Sequence, residues 1–121
     1  MVVPEPTLDA LHIAAKAAAT RQAEHISAVD VADRLGITDA FFFASAATER
    51  QVKSIIDEIE DQLREQLQLK PSRREGESEN RWVLLDYGHF IVHVQHDEER
   101  ENYALDRLWS DAPQIDLPKT D

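Results

Sequence analysis

Three closely spaced histidines are the residues of this sequence best suited to holding a metal ion. On an extended strand His89 and His93 would point to the same side and His96 to the other, with Asp86 across a turn. A zinc site needs three or four converging ligands. The alternative is that His93 is a hydrogen-bonded histidine inside a sheet while His89 and His96 are exposed. We favour this alternative and expect no metal and no other cofactor.

Aspartates are the second set of candidates, because paired carboxylates can hold the metal ions of phosphoryl transfer. Asp30 and Asp33 would lie on opposite faces of an extended strand, and Asp39 and Asp86 are isolated in the sequence. We interpret these residues as helix caps, turn residues and surface charges. The alternative is a nucleotidyltransferase-like, Mg²⁺-dependent enzyme that uses Asp30, Asp39 or Asp86.

Other motifs of catalysis are missing from the sequence. It contains no Gly-x-Ser-x-Gly turn for a serine nucleophile, and its three glycines are isolated, so no glycine-rich loop can cradle a phosphate. The lack of cysteine excludes disulfides, thiolate metal sites and cysteine nucleophiles. The sequence therefore favours a binding module and not an enzyme.

The charge of the chain limits its partners. Among 121 residues, 13 lysines and arginines stand against 24 aspartates and glutamates, which gives a formal net charge of -11. Direct binding to nucleic acid depends on basic side chains that displace counterions, so we expect little or none of it. We also expect no membrane contact, no targeting segment and a cytoplasmic location. The expected long-range partner is a basic surface.

Hydrophobic periodicity and turn residues predict the elements that position these side chains. Thr7 is a candidate N-cap for a first, alanine-rich helix, and Thr48 with Gln51 fits a capping box for a second, strongly amphipathic one. Arg34 to Gly36 is interpreted as a connection. The predicted order is α-β-β-α-β-β-β-α: helix 7–24, strand 25–31, strand 39–45, helix 48–69, a short edge strand at the start of 71–81, strands 82–86 and 90–96, and helix 99–109.

The strand around Phe41, Phe42 and Phe43 has no polar face, which is typical of a strand in the middle of a sheet that is covered on both sides. We therefore predict an α/β (α+β) fold, with a mixed sheet of about five strands and helices packed on it. The chain is long enough for one core. We predict a single domain over residues 1–112 and a flexible C-terminal tail over 113–121.

Large apolar side chains are concentrated in the last third of the chain. Tryptophan, tyrosine and arginine are the residue types enriched at the centres of protein interfaces. A small domain also needs large side chains in its core, and the sequence leaves core and interface equally open for Trp82 and Trp109. The residues concerned are Trp82, Tyr87, Tyr103, Leu105, Leu108 and Trp109, beside Arg100 and Arg107.

Two segments of this region carry long motifs: residues 82–94 read WVLLDYGHFIVHV, and residues 99–109 read ERENYALDRLW. Together they resemble the ribosomal silencing factor family, also called Iojap-like. Shorter matches lie upstream at 29–31, 37–39, 50–52 and 75–77, so the resemblance covers about residues 7–112. The chain departs from the family pattern at His89 and Gln95, both of which we expect at the surface.

The resemblance implies a function and a fold. Members of the family bind the large ribosomal subunit at its ribosomal protein fourteen, on the face that meets the small subunit, and so block subunit joining and repress translation. Their fold is similar to that of nucleotidyltransferases, without known transferase activity. A self-associating module, with the aromatic residues serving a homodimer, is a further alternative.

The contact with the large subunit is predicted to lie in the segments that carry the resemblance, since they also hold the residue types of an interface centre. Trp82, Tyr103, Leu105, Leu108 and Trp109 are the candidate apolar centre. Asp86, His93 and Arg100 are the candidate polar anchors or supports of this contact.

Overall fold

The computed structural model of the chain describes residues 3–117. Its elements follow one another as α1 (Glu5–Thr20), β1 (Glu24–Asp30), α2 (Ala32–Leu35), β2 (Ala40–Ala46), α3 (Glu49–Leu67), β3 (Arg73–Glu75), β4 (Trp82–Asp86), β5 (Phe90–His96), α4 (Asp97–Asn102) and α5 (Leu105–Leu108). The predicted mixed α/β fold is confirmed. The structure adds α2 and divides the last predicted helix in two.

The five strands form one mixed sheet in the order β1-β2-β5-β4-β3. β2 and β5 pair in parallel, and the other neighbours pair antiparallel. Phe42 and Val92, at the centre of the parallel pair, are fully buried. The apolar strand around Phe42 therefore lies inside the sheet, as the sequence predicts.

Helices α1 and α3 cover one face of the sheet with an alanine-rich and an aliphatic surface respectively. The N-cap of α3 is Thr48, as predicted, and its side chain accepts a hydrogen bond from the Gln51 amide at 3.1 Å. The Gln51 side chain does not complete the predicted capping box, because its Nε2 donates to the carbonyl oxygens of Arg21 and Gln22. The predicted first helix is present, but Thr7 is not its N-cap, because α1 begins after Pro4 and Thr7 is buried in its first turn. Proline fits the start of a helix because an amide hydrogen is not needed there.

The opposite face, called here the second face, carries a smaller core of Val29, Val31, Phe43 and Ala112. The short helices α4 and α5 follow β5 and lie over part of this face. The sequence predicts one continuous helix there, which is wrong. The carbonyl oxygen of Tyr103 accepts hydrogen bonds from the Gln95 side chain and from the Leu105 amide, so it is lost to the helical ladder.

The segment after α5 returns to the edge strand β1. The Asp30 amide donates to the Pro113 carbonyl at 2.8 Å, and the Ile115 amide donates to the Ala28 carbonyl at 2.9 Å. Hydrogen bonds thus hold the first part of the predicted tail, whereas residues 118–121 lie outside the described residues. The domain boundary at residue 112 stays a prediction.

Within residues 3–117, the structure contains no helix with the length and apolar character that a membrane span needs.

Candidate functional site

An exposed apolar groove lies where α5 and the connection before it meet the start of β4. We call it the aromatic groove; its volume is about 440 Å³. Tyr103 is 55% exposed and Leu108 is 70% exposed. The rings of Trp82 and Tyr103 have their centres 5.5 Å apart. The lining residues are Trp82, Tyr103, Ala104, Leu105, Arg107 and Leu108.

Several exposed apolar side chains side by side have a different meaning from one exposed leucine. Single surface leucines are ordinary, but contiguous apolar patches with polar rims mark interaction sites. The aromatic groove brings together four of the predicted contact residues, namely Trp82, Tyr103, Leu105 and Leu108. Their role in binding stays a prediction.

His93 lies beneath the groove and not in it. The indole Nε1 of Trp82 donates a hydrogen bond to Nδ1 of His93 at 3.2 Å. The imidazole stacks on Phe43 and meets the edge of Phe41, with ring centres 5.7 Å and 5.3 Å away. Burial lowers the pKa of His93 to about 4, so the ring is neutral near pH 7 and can accept this bond. The prediction of a hydrogen-bonded histidine inside the sheet is confirmed.

Gln95 supports the other wall of the groove. It is only 4% exposed, and its Nε2 donates to the carbonyl oxygen of Tyr103 at 3.0 Å. The expectation that Gln95 lies at the surface is wrong, because α4 and the turn after it fold back over β5. A polar residue after the apolar run of β5 was the only signal of this role in the sequence.

The remaining predicted contact residues have structural surroundings of their own. Arg100 forms a 2.6 Å ion pair with Asp106 that connects α4 to α5. Asp86 Oδ1 accepts from the Gly88 amide at 2.8 Å in the β4–β5 turn. Trp109 packs edge-on against Phe41 and belongs to the core of the second face. The structure therefore places Asp86 and Trp109 outside the aromatic groove.

The other histidines do not gather around His93. His89 is exposed, as predicted, with Nδ1 3.6 Å from a carboxylate oxygen of Asp39. The expectation that His96 is exposed is wrong, since it is 7% exposed and its Nδ1 accepts from the Glu98 amide at the start of α4. Within the described part of the chain, no three His, Asp or Glu side chains are arranged to hold a metal ion.

Two of the aspartates considered for catalysis support local backbone instead. Asp30 accepts from the Ala32 amide at 3.0 Å, just before α2, and Asp86 holds the hairpin turn. These bonds are typical of short turns that are closed by an aspartate side chain. They agree with the interpretation of these residues as turn and cap residues.

Acidic side chains lie on one side of the groove, where Glu79 and Glu99 line a neighbouring cavity that shares Trp82 with it. Helix α4 contributes Asp97, Glu98, Glu99 and Glu101, and Arg81 lies 3.5 Å from both Glu98 and Glu99. Arg107, on the rim of the groove, has no ion pair within residues 3–117. The groove thus combines an apolar lining with the guanidinium of Arg107, and it has acidic neighbours on the side of Trp82.

The low pKa of His93 predicts a pH dependence of stability. In the unfolded chain this histidine takes up a proton near pH 6.5, whereas in the folded chain it does so only near pH 4. Stability is therefore lost as the pH falls through this window, by up to about 3 kcal/mol. Urea unfolding at pH 7 and pH 4 should show a smaller loss for His93→Phe than for the native chain. Equal losses for the two proteins would contradict the assignment.

Comparison with known proteins assigns the chain to a family. Residues 4–121 match a family model described as "Ribosomal silencing factor during starvation". The ribosomal silencing factor RsfS of Bacillus subtilis is 43% identical over 108 residues, covering 88% of this chain and 90% of that protein.

Two further proteins extend the comparison. A crystal structure of a Bacillus halodurans protein, 33% identical, superposes with a TM-score of 0.77 over 90% of this chain and 98% of its own. A mouse protein named "Mitochondrial assembly of ribosomal large subunit protein 1" is 24% identical over 91 residues, 73% of this chain and 40% of its own length.

Proposed function

The chain belongs to the ribosomal silencing factor family, and we propose that it represses translation by binding the large ribosomal subunit and keeping the small subunit from joining it. The observation that carries this proposal is the aromatic groove, which is exposed and apolar and has acidic side chains beside it at Trp82. Such a surface suits a basic protein with an apolar side chain at its centre. Ribosomal protein fourteen of the large subunit is the partner that the family resemblance implies.

The charges of the chain support a protein contact over a contact with ribosomal RNA. Arginines are the side chains best suited to bind phosphates, but carboxylates already pair with most of them. A phosphate would have to compete with these carboxylates and with the net charge of -11. The arginines in ion pairs are Arg21, Arg34, Arg64, Arg73, Arg74, Arg81 and Arg100.

Steric exclusion is a sufficient mechanism for silencing. A folded chain of this length has a radius of gyration of roughly 14 Å. A body of that size on the joining face cannot coexist with subunit contacts made at van der Waals distance. An interface of ordinary size would bury about 800 Å² on each partner, and the opposite charges would speed the encounter. The proposal therefore needs no catalysis, and it places the chain in the cytoplasm with the free subunits.

Co-sedimentation tests this function. We expect the chain to pellet with isolated large subunits and to stay in the supernatant with isolated small subunits. Binding to both subunits, or to neither, would contradict the proposal. Sedimentation of the chain alone at several concentrations reports whether it self-associates, as the homodimer alternative requires. A rise of the melting temperature with nucleotides and Mg²⁺ would instead indicate the enzymatic alternative.

A further inference from the structure

We propose that two buried polar side chains of β5, His93 and Gln95, are positioning residues that hold the two aromatic walls of the groove in the orientation that binds the partner. This inference rests on the proposed function. The two residues point to the same side of the strand, because they are two positions apart. His93 accepts a hydrogen bond from the Trp82 indole, and Gln95 donates one to the backbone carbonyl of Tyr103.

The orientation of Trp82 depends on an acceptor beneath it. Trp82 is only half-buried, so without the 3.2 Å bond to His93 its indole N–H would turn toward water. His93 cannot move with it, since Phe41 and Phe43 pack against the imidazole from two sides. The bond from Trp82 Nε1 therefore ties the first wall of the groove to a fixed point of the sheet.

The position of Tyr103 depends on a hydrogen bond from the side chain of Gln95. Trp82 and Gln95 lie opposite each other in the β4–β5 register. The Nε2 of Gln95 donates a hydrogen bond to the Tyr103 carbonyl oxygen, which also accepts one from the Leu105 amide. Together these bonds fix the break between α4 and α5, which places the Tyr103 ring 5.5 Å from that of Trp82.

Stability alone does not account for these two residues. A polar side chain in the middle of a strand loses its hydration on folding, and its hydrogen bond offsets this cost only in part. Apolar side chains of similar size would pack there with no such cost. Both bonds instead end on groove walls, so the benefit we assign to them is a groove that needs no rearrangement when the partner binds.

Matched substitutions separate positioning from packing. His93→Phe keeps a ring but removes the acceptor, whereas His93→Asn offers an amide oxygen in the place of Nδ1. Gln95→Met keeps the length of the side chain but removes the donor. The readouts are the affinity for isolated large subunits, the urea midpoint, and the solvent exchange of the Trp82 indole N–H by NMR in the free chain.

We expect His93→Phe and Gln95→Met each to weaken binding by about tenfold, with urea midpoints equal to or above that of the native chain. His93→Asn should bind within about threefold of the native chain, since it restores the acceptor. The Trp82 indole N–H should exchange faster in His93→Phe and at the native rate in Gln95→Met.

Three results would overturn the inference, and they are distinguishable. If His93→Phe and Gln95→Met bind like the native chain while Trp82→Ala does not, the groove is the contact but its walls need no positioning. If Trp82→Ala also binds like the native chain, the proposed contact itself is wrong and the positioning role is lost with it. A loss of binding that follows the urea midpoint in every variant would show a merely structural role.

Discussion

Replacing Trp82 or Tyr103 with alanine is expected to weaken binding to isolated large subunits by at least about thirtyfold, the loss typical of a central interface residue. The two rings pack against each other, with centres 5.5 Å apart, and are the two aromatic side chains that line the aromatic groove. A titration of large subunits in a pelleting assay measures the loss. If both variants fold normally and still pellet fully, the contact lies elsewhere on the chain.

Trp82 also bonds to His93, so a substitution that leaves the fold alone is needed beside it. Leu108 is 70% exposed, and Leu108→Asp should change the free energy of unfolding by no more than about 0.5 kcal/mol. It should nevertheless weaken binding as strongly as Trp82→Ala, because it places a charge in an apolar contact. Leu67→Asp is the matched control, since Leu67 is a partly exposed residue of α3 across the sheet. Equal binding by Leu108→Asp and Leu67→Asp would contradict the assignment of the groove.

The second large effect is expected from a glycine outside the groove. Gly76 has a φ of +86°, and a Cβ added there would overlap the carbonyl oxygen of Trp82 and lie 3.0 Å from its carbonyl carbon. Since this backbone cannot yield like a flexible side chain, the start of β4 must shift. Gly76→Ala should therefore reduce the free energy of unfolding and also weaken binding to large subunits, because Trp82 begins β4.

Gly88→Ala isolates the part of this effect that comes from backbone conformation. Gly88 has a φ of +85°, but nothing lies within 4 Å of an added Cβ. Its substitution should cost about 1–2 kcal/mol, the price of a left-handed conformation for a residue with a side chain. We expect Gly76→Ala to cost at least about 2 kcal/mol more than Gly88→Ala in urea unfolding. Equal urea midpoints for the two variants would show that the loop at Gly76 adapts.

The elements that the sequence predicts best are those with a strong periodic pattern. The apolar residues of α3 recur at helical spacing, which indicates a helix buried along one face. The apolar residues around Phe42 are consecutive, which is typical of a strand buried on both faces. Local signals fix their ends, as Thr48 does for α3. The mixed five-stranded sheet follows from these elements and their order.

The features that the sequence did not reveal depend on contacts between distant residues. The break between α4 and α5 depends on the hydrogen bond from the Gln95 side chain to the Tyr103 carbonyl. The burial of His96 depends on α4, whose Glu98 amide donates a hydrogen bond to the imidazole. The same holds for the candidate site. Trp109 and Tyr103 are aromatic residues of the same motif. Trp109 nevertheless packs against the core of the second face, whereas Tyr103 lines the aromatic groove.

The rate of subunit joining, followed by light scattering after rapid mixing of large and small subunits, shows whether the bound chain excludes the small subunit. With the chain saturating the large subunits, we expect joining to be nearly abolished, and the Leu108→Asp variant at the same concentration should leave most of it intact. Joining at the native rate while the chain remains bound to every large subunit would contradict the account.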